Sequence, residues 1–123
     1  MYFFVLYSLS GIQKGIQAGH AALEYGFTFH ENKEYQDFVT KHKTFILLDG
    51  GGSECMKQRI AELYDFGIKY ESFFEPDLNN SLSAIAFIVP ESVYGIDLEG
   101  YEEYPACDII FARYLKGFKL ASN

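Results

Sequence analysis

Four short apolar runs alternate with longer stretches in which apolar residues recur every three or four positions. Residues 2–7, YFFVLY, are aromatic and β-branched, the pattern of a buried strand. Residues 44–49, 68–74 and 82–89 read as further strands, the last stopped by Pro90. Helical periodicity fills the gaps. A first helix runs from about Gly11 to Tyr25, with Ser8 or Ser10 as its cap. A shorter one over residues 34–39 has Asn32 as its cap, and a third over residues 54–66 has Ser53 before it and Gly67 as its stop. A last helix covers residues 106–116. The order β-α-(α)-β-α-β-β-α predicts an α/β fold: a three-layer sandwich with a four-stranded mixed β-sheet and helices on both faces.

The helix after the first strand carries the most distinctive polar pattern. At about 100° per residue, Gln13, Gln17, His20 and Glu24 fall on one narrow stripe. Ile12, Ile16, Gly19, Leu23 and Phe27 form the neighbouring stripe, and Gly15, Ala22 and Gly26 form a smooth back. This predicts a helix buried on most of its surface, with the polar line left open. The position favours a site, because ligands of α/β sheets sit beyond the carboxyl ends of strands, where the next helix begins. The helix start also offers free N–H groups to an anion. Against that, a lone mid-helix histidine is more often a structural hydrogen-bonded residue.

Two other polar groups have simpler readings. Gly50-Gly51-Gly52 lacks both the Lys-Ser/Thr of a P-loop and the spacing of a dinucleotide turn, so it reads as a strand-to-helix turn. Residues 75–81, EPDLNNS, are the densest polar group in the chain, and a hairpin turn selects the same residue types for backbone reasons.

Composition narrows the function. The 123 residues suit a single domain, 1–123, with an acidic C-terminal extension from about residue 91. Hydrophobic residues make up 49%, ample for a core, yet no apolar run reaches the ~18 residues of a membrane span. The start lacks the basic region of a signal peptide. Cys55 and Cys107 make no metal spacing and no disulfide framework, and His30 and His42 have no partners and read as surface residues. These features predict a cytoplasmic protein with no membrane partner, no metal and no cofactor. The net charge is −7, and between Lys69 and Arg113 nine acids meet no base. That balance opposes a broad nucleic-acid footprint, outside a small patch near Lys14, Lys41 and Lys43.

The segment Gln17-Ala18-Gly19-His20-Ala21-Ala22, directly after a first strand, resembles the Gln-x-x-His-Ala-Ala helix of the type 2 (archaeal and eukaryotic) peptidyl-tRNA hydrolases. The later run is similar in order: a strand ending in Asp49, a helix ending in Ala61-Glu62-Leu63 before Gly67, a strand, a polar turn, and a strand before Pro90. The likeness covers roughly residues 2–90. It implies cleavage of the ester that links a peptide to the terminal ribose of a tRNA, without a metal. Gln17 and His20 match the motif. The family's two lysines fall on Gly11 and Gln13, with Lys14 the nearest base. Its Asp-Ala-Gly-x-Thr turn is replaced by Glu75-Pro76-Asp77-Leu78-Asn79. Glu75 then stands in for the Asp, and Asn79 or Ser81 lies near the Thr.

The resemblance implies specific roles. His20 acts as general base on water, or orients a neighbour that does, since imidazole titrates near neutrality. Glu75 or Asp77 fixes and charge-balances it. Gln17 and Asn79 hold the substrate carbonyl or ribose, Gln13 and Ser81 add contacts, and Lys14 with the helix start receives phosphate. The alternative is a non-catalytic module of the same fold that recognises a small nucleotide-like ligand or a protein partner. Phe73, Phe74, Tyr94 and Tyr101 would then stack on the ligand or fill a groove. A homodimer is compatible with either reading.

Overall fold

The computed structural model describes residues 1–100 and 102–122, so Tyr101 lies outside the described residues. It holds a four-stranded mixed sheet in the order β2-β1-β4-β3. The strands are β1 (Tyr2–Leu6), β2 (Ile46–Gly51), β3 (Tyr70–Glu75) and β4 (Ser81–Phe87). β1 runs parallel to β2 and antiparallel to β4, and β3 and β4 form an antiparallel hairpin. Among the described residues, no helix is long and apolar enough to cross a membrane.

Alternation along β1 builds two cores. Phe3 and Val5 face one side, where they meet Ala18, Ala21 and Tyr25 of α1 (Gly11–Phe29) and Ala84 and Ala86 of β4. Phe4 and Leu6 face the other, against Met56 and Leu63 of α3 (Ser53–Asp65) and Phe111 and Ala112 of α5 (Ala106–Lys116). Helices therefore cover both faces of the sheet. A short α2 (Lys33–Asp37) runs into a π-helical turn, Phe38–His42, in place of the single helix expected over residues 34–39.

Local chemistry explains the ends. Ser10 caps α1 through a reciprocal capping box with Gln13, both bonds at 3.2 Å, an arrangement that contributes about 1 kcal/mol. α3 ends in a Schellman turn: Gly67 N–H donates to the Tyr64 carbonyl and Ile68 N–H to that of Leu63, with Gly67 at φ +71°. Its start differs from expectation, because Gly52 occupies the cap and Ser53 the first helical turn. Gly50 and Gly51 belong to β2, where a Cβ on Gly50 would overlap Met56 Sδ and press on Phe4 Cβ at 3.1 Å and the Val5 carbonyl at 3.2 Å. Close packing therefore accounts for this glycine.

Elements beyond residue 90 pack against the core and the sheet edge. α4 (Glu91–Tyr94) places Val93 in the core beside Phe111. Beyond α5 the tail pairs with the outer edge of β2: Asp49 N–H donates to the Lys119 carbonyl, and Ala121 N–H to that of Leu47. Two backbone groups on the edge strand are thereby satisfied.

α1 keeps Gln13 and Glu24 exposed and His20 half-exposed, as expected of the polar line, but Gln17 is buried and the apolar stripe expected to be buried is open. Lys14, Gln17, Ala18, Ala21, Tyr25 and Gly26 are buried, while Ile12, Ile16, Leu23 and Phe27 are exposed. Two small residues, Ala18 and Ala21, let the helix sit close to Ala84 and Ala86. Gln17 finds buried partners in Glu75 and Ser83 on the same side, and the Lys14 ammonium donates to the backbone carbonyl of Ser122.

Candidate functional site

Gln17, His20 and Glu75, 58 residues apart in sequence at the widest, meet where α1 crosses the carboxyl end of β3. The meeting depends on an irregularity in the hairpin. Phe73 pairs with Ala84 but Phe74 pairs with Leu82, so Ser83 is the extra residue of a β-bulge on β4. A bulge re-aims a side chain that strict alternation would send to the opposite face. Ser83 consequently points toward α1 and is fully buried.

A continuous polar chain results. Ser83 Oγ donates to Gln17 Oε1 at 2.8 Å, with the Phe73 carbonyl at 3.1 Å as the alternative acceptor. Gln17 Nε2 donates to Glu75 Oε2 at 3.0 Å. The other carboxylate oxygen, Glu75 Oε1, accepts from the backbone N–H of Asp77 at 3.2 Å. His20 Nδ1 stands 3.8 Å from Glu75 Oε2, within ion-pair range but too far for a hydrogen bond. That nitrogen is buried and has no hydrogen-bond partner. The imidazole packs against the Phe73 ring, with centroids 4.5 Å apart. The side chain is nevertheless 41% exposed, so its open part is the edge away from Nδ1.

The Gln17 amide, then the Asp77 N–H, and the nearby His20 hold the Glu75 carboxyl below its ordinary value of 4.5, against a desolvation that acts the other way. A carboxyl with a lowered folded-state value contributes stability above its unfolded value. That stability is lost as the pH falls through the folded one. Glu75→Gln should therefore flatten the acid side of the stability-against-pH curve measured by urea unfolding. Equal acid slopes for wild type and variant would show that the carboxylate is not held by these bonds.

The other expected site residues are placed elsewhere. Gln13 is exposed and engaged in the α1 capping box. Lys14 is buried, and its ammonium donates to the Ser122 carbonyl instead of facing a phosphate. Asp77 is exposed and contributes its backbone N–H to the site, not its carboxylate. Asn79, at φ +54°, and Asn80, at φ +55°, take the left-handed turn positions of the hairpin, and the Ser81 hydroxyl donates to the Leu78 carbonyl. Both ends of the Gln17 amide are engaged, by Ser83 and by Glu75. Phe73 forms a wall of the site, whereas Phe74 and Tyr94 are exposed and outside it. His30 and His42 are exposed, as expected.

Ser83 is the member that sequence reasoning missed. Its signal was a single hydroxyl inside an otherwise apolar strand, LSAIAF. A cavity of about 400 Å³ lies at the opposite end of β1, lined by Tyr2, Phe38, Ile46, Val89 and Tyr94 with Lys33 at its rim. It shares no residue with the His20 cluster. Among the described residues, no three His, Cys, Asp or Glu side chains come together as a metal-ligand group. The chain matches no family model, no curated protein and no solved structure.

Proposed function

We propose that the chain is a carboxylic-ester hydrolase in which His20, backed by Glu75, acts as general base on water. The observation that carries this reading is the buried Ser83–Gln17–Glu75 chain ending on a half-exposed imidazole. A carboxylate beside one ring nitrogen orients the imidazole and stabilises its protonated form. The proton of the neutral ring then sits on Nδ1, toward Glu75, and Nε2 is left to take a proton from water. Hydroxide attacks the ester carbonyl, and the imidazolium returns the proton to the departing alkoxide. The unpartnered Nδ1 fits a site whose His–Glu bond shortens when charge develops on the ring, as apo hydrogen bonds are often long.

The substrate class implied by the Gln-x-x-His helix is an acyl ester on the terminal ribose of a tRNA. Two features favour a second reading, a non-catalytic module of the same fold. Lys14 is turned inward, and Lys41 and Lys43 precede β2, at the other end of the sheet from His20.

One experiment separates them. The full chain would be incubated with an N-blocked aminoacyl-tRNA and with the same acyl ester on a bare nucleoside, following ester loss. The hydrolase reading expects turnover of both, with weak salt dependence on tRNA because few phosphates are neutralised. No ester loss from either substrate would sink it and leave the binding reading.

A further inference from the structure

The outer face of α1 is apolar and uncovered. Ile12, Ile16, Leu23 and Phe27 are 80, 50, 73 and 83% exposed and form one stripe on the side of the helix away from the sheet. Gly15 and Gly19 lie between them, and a Cβ added to either would meet nothing within 4 Å. The surface is therefore a row of large apolar side chains with open glycine positions along one side. Isolated exposed apolar residues are ordinary, but a contiguous stripe of this kind marks an interaction surface.

The spacing of the stripe indicates what covers it. Ile12 and Phe27 lie equally far from the point between Gly19 and His20, and Ile16 and Leu23 do the same closer in. A two-fold axis through that point would lay a second α1 antiparallel on the first. Ile12 of one copy then meets Phe27 of the other, Ile16 meets Leu23, and the glycine stretch lets the backbones approach. A symmetric interface must be self-complementary in this way. Charge agrees with the arrangement. The chain carries a net −7, yet Glu24 is the sole ionised side chain among the exposed residues of α1, and the dyad keeps the two copies of it apart. Taking about 150–200 Å² for a fully accessible side chain of this size, the four exposures leave roughly 500 Å² of apolar surface per copy. Complete burial of these residues on two copies would cover at most about 1,000 Å², which reaches the threshold of a specific interface.

We propose that α1 is the interface of a symmetric homodimer, with the two helices antiparallel about Gly19 and His20. The oligomeric state tests this contact whether or not the His20 cluster is catalytic, although the axis passes beside the half-exposed His20 ring. The oligomeric state of the full chain would be measured by sedimentation equilibrium over a range of concentrations, with circular dichroism as the control for folding. Wild type is expected to be a dimer. Leu23→Glu, at an exposed position that the folded monomer does not use, should weaken association by at least about 100-fold, since it puts a charge into a desolvated apolar contact. Ile16→Lys combined with Leu23→Glu should restore a measurable part of the dimer, because the antiparallel register sets the two new charges opposite each other. A monomeric wild type, or a dimer indifferent to Leu23→Glu, would overturn the proposal. Failure of the double variant to regain association would overturn the register. A wild-type monomer that binds lipid vesicles through the stripe would overturn it in favour of a membrane surface.

Discussion

His20→Ala is expected to lower ester turnover by about 10²–10⁴-fold, the usual worth of a positioned general base. At 1.36 kcal/mol per tenfold, this is a loss of about 3–5 kcal/mol of transition-state stabilisation. The fold should be untouched, because the ring is 41% exposed and makes no hydrogen bond. The neighbouring groups should follow a definite order. Glu75→Gln keeps the shape and the Gln17 contact but removes the charge that stabilises imidazolium. It should therefore lower kcat with little change in KM, since Glu75 does not face the substrate side. Gln17→Ala should cost less in rate, because it loosens the carboxylate without removing it. Wild-type turnover unaffected by His20→Ala would defeat the assigned mechanism, even if the protein proved to be a hydrolase.

The order of elements was legible because period is a local property. Every expected strand and helix has a counterpart; most ends move by a residue or two, α1 runs four residues further, to Phe29, and α5 falls on the expected residues. Facing is not local. The stripes Ile12–Ile16–Leu23–Phe27 and Lys14–Gln17–Ala18–Ala21–Tyr25 recur with the same helical spacing, so periodicity cannot say which meets the sheet. The decision lies with distant residues: Ser83 and Glu75, which satisfy Gln17, and Ser122, which satisfies Lys14. Hydrophobicity alone favours burial of the greasier stripe, and the buried polar chain through Gln17 turns that stripe outward. Ser83 was hidden for a related reason, since a bulge shifts the face of a strand residue without a mark in its own sequence. Gln17, His20 and Glu75 were recoverable because each stands at an element end or a helix face where polarity is unexpected.

Phe111→Ala is expected to cost about 3–5 kcal/mol, the range for truncating a buried aromatic. For a domain of this size the melting temperature should fall by roughly 10–20 °C. Phe111 is buried, with ring centroids 4.9 Å from Phe66 and 5.9 Å from Tyr114, and Tyr114 in turn reaches Phe4 of the central strand at 6.3 Å. The cavity would open between α5 and α3, where the aromatic packing leaves little room to collapse. The measurement distinguishes two views of the C-terminal third. An acidic extension appended to a fold complete at residue 90 would lose almost nothing on such a change. A third layer that seals one face of the sheet must lose a large share of the 5–15 kcal/mol typical of a whole domain. Tyr94→Ala supplies the control, because Tyr94 lies in the same region but is largely exposed and should shift stability by no more than about 0.5 kcal/mol. Equal, small effects from the two substitutions would mean that the sheet stands without α5, and that the apolar side of Phe4 and Phe87 is covered by something else.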